Sequence, residues 1–194
     1  MIDLDRDFWQ QRYADGTTGW DLGAVSPPLK AYFDQLTDKD LRILIPGGGR
    51  SYEAEHLHKA GFRNVFVIDL TPAPFADLLA RCPDFPKDHL ITGDFFAHDG
   101  NYDVIVEQTF FCALDPVLRQ RYVEHMHQLL APGGKLIGVL FDDPLNDDHP
   151  PFGGNQDEYL RLFRPVFEEV LLERCHNSVP PRAGRELWLK AVKR

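Results

Sequence analysis

Seven short apolar runs punctuate the chain, at 41–45, 65–68, 90–91, 104–106, 135–141, 170–172 and 187–192, with polar, helix-compatible stretches between most of them. Runs this short, rich in Val, Ile and Leu and bounded by Gly, Pro and Asp, predict buried strands rather than helices. Strands that alternate with helices predict an α/β fold around a mostly parallel sheet, with helices on both faces. The clearest helix spans 115–130, with Pro116 near its start and Val117, Tyr122, Val123, Met126, Leu129 and Leu130 on one apolar face. Ala131, Pro132, Gly133 and Gly134 then stop it and return the chain into the next strand. Between the last two runs lies only a turn-rich stretch at 177–184, so these two predict an antiparallel pair at one end of the sheet.

The first run breaks into Gly47, Gly48 and Gly49, and the second ends at Asp69, with a helix expected from Ser51 onward. Glycines let the backbone turn sharply and leave bare main chain for a ligand to approach. An acid at the end of the next strand, roughly 20 residues on, accepts hydrogen bonds from ribose hydroxyls in nucleotide-binding βαβ units. The same residues also occur as a plain tight turn and a helix cap, so the pair points to an adenosine site without fixing it. Ligands of open α/β sheets sit beyond the carboxyl ends of strands, where Asp94 to Phe96 and the 107–112 segment also fall.

Composition narrows the partner. At 194 residues the chain suits one domain, over 1–194, and its 43% hydrophobic and 26% charged residues are ordinary for a water-soluble fold. A net charge of −9 speaks against broad nucleic-acid binding, and no apolar run approaches the roughly 18 residues of a membrane span. The first seven residues are acidic and lack a signal peptide's apolar core, so a cytoplasmic setting is expected. Cys82, Cys112 and Cys175 are widely spaced and odd in number, which predicts reduced thiols rather than disulfides or a metal site. A small-molecule ligand is expected, with no obligate protein partner and no metal.

Four local patterns stand in order along the chain: Phe8 to Trp20, with Trp9, Tyr13 and Trp20; the turn from Ile45 to Gly49; Tyr102 to Leu114; and His149 to Phe152. Together they resemble the thiopurine S-methyltransferase family of S-adenosylmethionine-dependent methyltransferases, and the third pattern is closest to its thiol/halide methyltransferase branch. The resemblance implies a Rossmann-like seven-stranded methyltransferase sheet, mostly parallel with an antiparallel C-terminal strand pair. It implies S-adenosylmethionine as cofactor and methyl transfer to a small soft nucleophile, a thiol or sulfide-like anion, with halide as a further candidate.

By that resemblance Gly47 and Gly49 lie against the amino-acid part of the cofactor, Asp69 holds the ribose, and Asp94 and Phe95 frame the adenine. Residues 1–36 form an aromatic lid in which Trp9, Tyr13 and Trp20 cover the cofactor; Tyr13 stands where relatives often carry a second Trp. Trp9 and Tyr13, four apart, share a helix face, and π faces suit a sulfonium. Glu107 is expected to orient the cofactor amine or a substrate. Gln108, at a position where relatives carry Arg or Tyr, is expected on the substrate side, as are Phe111, Cys112, Phe152 and Arg182. Phe110 is expected in the core, and 142–155 is expected to be a loop covering the substrate.

No catalytic dyad is evident, which fits in-line displacement by an already ionised nucleophile. Two other functions compete. One is a cofactor-binding sensor with weak catalysis, suggested by Gln108. The other is a nicotinamide oxidoreductase, disfavoured by the aromatic N-terminal segment and by Pro46-Gly-Gly-Gly in place of a full GxGxxG.

Overall fold

The computed structural model describes residues 4–194, so the first three positions of the expected lid lie outside the described residues. One seven-stranded sheet organises the chain: β1 (Arg42–Pro46), β2 (Asn64–Asp69), β3 (Leu90–Thr92), β4 (Tyr102–Gln108), β5 (Leu130–Phe141), β6 (Glu169–Arg174) and β7 (Glu186–Val192). Their spatial order is β3-β2-β1-β4-β5-β7-β6. Neighbours from β3 through β5 run parallel, and β7 is antiparallel to both β5 and β6. The C-terminal pair therefore closes one edge as expected.

Among the described residues six α-helices complete the fold: α1 (Arg6–Ala14), α2 (Pro27–Phe33), α3 (Tyr52–Lys59), α4 (Phe75–Arg81), α5 (Arg119–Leu129) and α6 (Gln156–Phe163). Successive strand residues point to opposite faces, and the core divides accordingly. Ile43, Ile45, Val65, Val67, Val104, Val106, Ile137 and Val139 pack under α2, α3 and α4. Leu44, Ile68, Ile105, Leu136 and Leu140 pack under α5 and α6. Apolar side chains on both faces explain why the strands read as continuous runs rather than alternating ones.

Two local expectations change. The 115–130 segment opens with a 3-10 turn, Pro116–Leu118, whose Val117 N–H is capped by Asp115 at 3.0 Å, and α5 begins only at Arg119. Val117 consequently stands exposed instead of joining the apolar face. Residues 131–134 do not precede β5 but bulge from it: Tyr102 pairs with Leu130 and Val104 with Lys135, so residues 131–134 of β5 stand opposite Asp103 alone.

Candidate functional site

A cavity of about 1190 Å³ opens over the carboxyl ends of β1 to β5, at the point where the strand order reverses between β1 and β4. Crossover connections leave β1 and β4 in opposite directions there, so their following loops part and leave a crevice. Of the residues expected in the site, the structure gathers Trp9, Tyr13, Trp20, Gly47, Asp69, Asp94, Phe95, Cys112 and Arg182 around this cavity.

Gly47 and Gly49 both adopt left-handed backbone (φ 58° and 52°), which a side chain would strain. Gly49 lines not the main cavity but an adjoining recess, shared with Gly47, Gly48, Trp20, Thr109 and Gln108. At the end of β2, Asp69 accepts the Thr71 N–H at 3.1 Å, and burial pushes its carboxyl up to about 6 although the backbone N–H groups of Thr71, Gly49 and Leu70 pull the other way. At the end of β3, Asp94 accepts the Phe96 N–H at 2.9 Å, and Phe95 turns into the core with one side on the cavity.

Helix α1 has no buried residue; its aromatic side chains instead roof the cavity. Asp5 caps it, accepting the Phe8 N–H at 2.9 Å. The Trp20 ring meets both Trp9 (centroids 5.7 Å apart) and Tyr13 (5.8 Å), each edge to face, a favoured geometry for aromatic pairs. Burial, and then the Asp69 carboxylate, push the Tyr13 phenol well above its usual range, so it stays a neutral hydroxyl. Arg182 donates to the Trp20 carbonyl at 2.9 Å and Arg50 pairs with Asp21 at 3.0 Å, fastening this roof to the body.

Four expectations are corrected. Glu107 does not reach the cavity: it has no exposure and turns toward α5, where it accepts from the Phe110 and Phe111 N–H groups and the Tyr122 hydroxyl. Phe111 and Phe110 exchange places. The 3-10 turn after β4 sends Phe111 into the core against Tyr122, Tyr159 and Phe163 and leaves Phe110 on the cavity. Phe152 is likewise buried, its N–H donating to the Cys112 carbonyl at 2.7 Å, while the 142–155 loop faces the cavity through Leu145, Asn146, His149, Pro150 and Pro151. Gln108 faces the glycine recess rather than the Cys112 side, with its Oε1 buried and without a hydrogen-bond partner among the described residues.

Arg182 is buried rather than solvated: besides Trp20 it reaches Glu186 at 3.4 Å and lies over the Phe141 ring. Burial pushes the Cys112 thiol up to about 12, with Glu107 adding to the shift, so it is no nucleophile at neutral pH. Residues the sequence reading missed include Thr109, Arg12 and Arg121 on the cavity wall. Neither arginine is ion-paired among the described residues, whereas each aspartate of the wall already accepts a backbone N–H. Nothing in residue type marks Arg12 or Arg121, since a helical arginine ordinarily faces solvent. Thr109 carried no signal either, because its left-handed φ of 59° is unusual for a β-branched residue.

The profile of the thiopurine S-methyltransferase (TPMT) family matches residues 4–191. A probable thiol methyltransferase 2 of Arabidopsis thaliana is 28% identical over 184 residues, covering 92% of this chain and 81% of that one. Thiocyanate methyltransferase 1 of Brassica oleracea matches at the same identity and coverage. Among solved structures, the 1,6-didemethyltoxoflavin-N1-methyltransferase of Burkholderia thailandensis, with S-adenosylhomocysteine bound, superposes with a TM-score of 0.73 over 97% of this chain and 86% of that one. At 20% identity that likeness carries the fold alone.

Proposed function

The chain belongs to the thiopurine S-methyltransferase family, and from that premise we propose that it transfers the methyl group of S-adenosylmethionine to a small soft nucleophile, a thiol or sulfide-like anion, with halide as a further candidate. One observation carries the reading: the bare glycine turn and Asp69 share a single roofed cavity with an apolar floor of Phe110 and Cys112. The polar groups suit that cofactor. Gln108 Oε1 is a buried acceptor without a partner, fit for an ammonium, and Asp69 keeps acceptor capacity for ribose hydroxyls. A Cβ at Gly49 would come within ordinary contact of Trp20 Nε1 (3.5 Å) and Tyr13 Oη (3.6 Å), so roof and turn close on one another.

When bound, the cofactor supplies an electrophilic methyl on a sulfonium, open to in-line attack. The chain's own residues supply the surroundings. Trp9, Tyr13 and Trp20 offer rings to a cation and keep water from the reacting centre. Arg12 and Arg121 put positive charge on the wall of a chain whose net charge is −9, which attracts an anionic acceptor and favours a thiolate over its thiol. Cys112 stays protonated and does not compete for the methyl. A general base is then unnecessary. Among the described residues no helix is long and apolar enough to cross a membrane. Cys82, Cys112 and Cys175 are free thiols, which supports a reducing, cytoplasmic setting.

The test is transfer from labelled S-adenosylmethionine to a panel of thiophenol, an aliphatic thiol, bisulfide, thiocyanate and iodide. Incorporation into sulfur acceptors is expected. Tight cofactor binding with no transfer to any member would favour the sensor instead.

A further inference from the structure

We infer that Glu107 is a positioning residue for the methyl acceptor: it fixes the 109–112 turn that floors the acceptor side of the cavity, and acts on the reaction through Phe110 and Cys112 without touching a ligand. The inference rests on reading the cavity as a methyl-transfer site.

After Gln108 the chain leaves β4 through Thr109 in left-handed backbone, a conformation that is unfavourable for a β-branched residue and persists only where its surroundings over-determine it. Glu107 supplies that determination. Its Oε1 accepts the N–H of Phe110 at 2.8 Å and of Phe111 at 3.0 Å, and its Oε2 accepts the Tyr122 hydroxyl at 2.5 Å. A carboxyl with no exposure is costly unless hydrogen-bonded, and here three donors converge on it. The neighbouring strand is cleared to admit it. Gly138 pairs with Glu107 across β4 and β5, and a Cβ there would overlap Glu107 Cβ and stand 2.9 Å from its Cα.

The groups around the carboxyl are few. Tyr122 meets it from α5 and Gly138 lies across from it on β5, while the Cys112 thiol donates to the Thr109 carbonyl at 3.4 Å within the same turn. Among the described residues its hydrogen-bond partners are two backbone N–H groups and the Tyr122 hydroxyl. Its hydrogen bonds therefore serve the turn. Beyond the turn, Phe110 lies against Gly47 and the Cys112 carbonyl takes the Phe152 N–H of the 142–155 loop. One buried carboxyl thus sets the floor, the ring against the glycine turn and the anchor of the loop above. A displacement of about 1 Å at a reacting centre can cost on the order of a hundredfold in rate.

The experiment compares the full-length protein with Glu107→Gln and Glu107→Leu. Three quantities are read: amide hydrogen exchange at Phe110 and Phe111, affinity for S-adenosylhomocysteine, and kcat and KM for thiophenol. The amide keeps an acceptor for both N–H groups, so the Gln variant should stay within about threefold of wild type in kcat/KM. The Leu variant should expose both amides to exchange at least tenfold faster and lose about 30-fold in kcat/KM, with S-adenosylhomocysteine affinity within about threefold.

If the Leu variant does not fold, Tyr122→Phe replaces it; leaving Oε2 without its donor should lower kcat/KM by about threefold to tenfold at unchanged cofactor-product affinity. A Leu variant with wild-type kcat/KM would overturn the inference. So would a parallel loss of S-adenosylhomocysteine affinity, which marks collapse of the whole site, or unprotected Phe110 and Phe111 amides in the wild type. If the wild type methylates nothing in the panel, the functional reading fails separately; amide exchange and thiophenol binding to the S-adenosylhomocysteine complex then decide the role of Glu107.

Discussion

The Phe110 ring rests on the bare backbone of Gly47: a Cβ at Gly47 would stand 2.8 Å from Phe110 Cγ, closer than real side chains approach. The two residues belong to different crossovers, one after β1 and one after β4, so the contact joins the halves of the cavity. Gly47→Ala should destabilise the protein twice over. Left-handed backbone at φ 58° costs about 1–2 kcal/mol for an L side chain, and overpacking against the ring adds about 1–3 kcal/mol. Adding Phe110→Ala removes the clash but not the backbone strain. Urea unfolding of the four proteins of this cycle should therefore give a favourable coupling of about 1 kcal/mol or more. Additive effects would mean that the ring moves aside freely.

Asp69 should make cofactor affinity depend on pH. Burial raises its carboxyl to about 6 in the cofactor-free protein, and ribose hydroxyls would donate to the ionised form. Below that value a proton must leave before binding, so affinity should weaken up to tenfold per pH unit as pH falls under about 6, and level off above 7. Calorimetry with S-adenosylhomocysteine from pH 5 to 8 measures this. Asp69→Asn should bind more weakly at pH 7.5 and lose the acid limb; an Asn variant with the wild-type pH profile would remove Asp69 from the ribose.

Much of this was written in the chain. The seven strands were legible because both sheet faces are covered, which makes strands read as unbroken apolar runs; Ile43 and Leu44 serve opposite cores and still look alike. Gly47, Asp69 and Asp94 were legible because strand ends in this topology all face one crevice. What failed lay within a turn. Whether Phe110 or Phe111 faces the cavity depends on the Thr109 backbone, and that depends on a carboxyl four residues away from Phe111. Neither periodicity nor residue type encodes a single left-handed residue. Val117 failed for a related reason, since a 3-10 turn rotates side chains off the α-helical stripe.

Arg182 should govern how firmly the aromatic roof is held. Its guanidinium spans the Trp20 carbonyl, Glu186 and the Phe141 ring, a fork that a lysine cannot reproduce. Arg182→Lys keeps a cation near buried Glu186 while losing the second donor arm. It should leave the melting temperature within a few degrees and weaken S-adenosylhomocysteine binding about fivefold, with faster tryptic cleavage within 6–12. Arg182→Ala strands Glu186 and should destabilise the fold by about 3 kcal/mol. A Lys variant with wild-type affinity and cleavage rate would show that the Arg50–Asp21 pair holds the roof alone.

Glu107 should leave its mark on stability against pH. Burial raises its carboxyl to about 7, against its donors Tyr122, Phe111 and Phe110, whereas the unfolded chain titrates near 4.3. Between those values the native state holds a proton that the unfolded state has released. Its contribution is therefore full below about pH 4 and is lost as pH rises through 7, with a slope of at most about 1.4 kcal/mol per pH unit for one proton. Asp69, raised to about 6, acts in the same direction over a lower window. Urea unfolding of the cofactor-free protein from pH 5 to 8 should thus show stability falling with pH. Glu107→Gln should flatten the upper part of that fall, and adding Asp69→Asn the lower part. Equal slopes in wild type and Glu107→Gln would mean that the three hydrogen bonds keep Glu107 ionised across the range, with its burial fully offset by its donors.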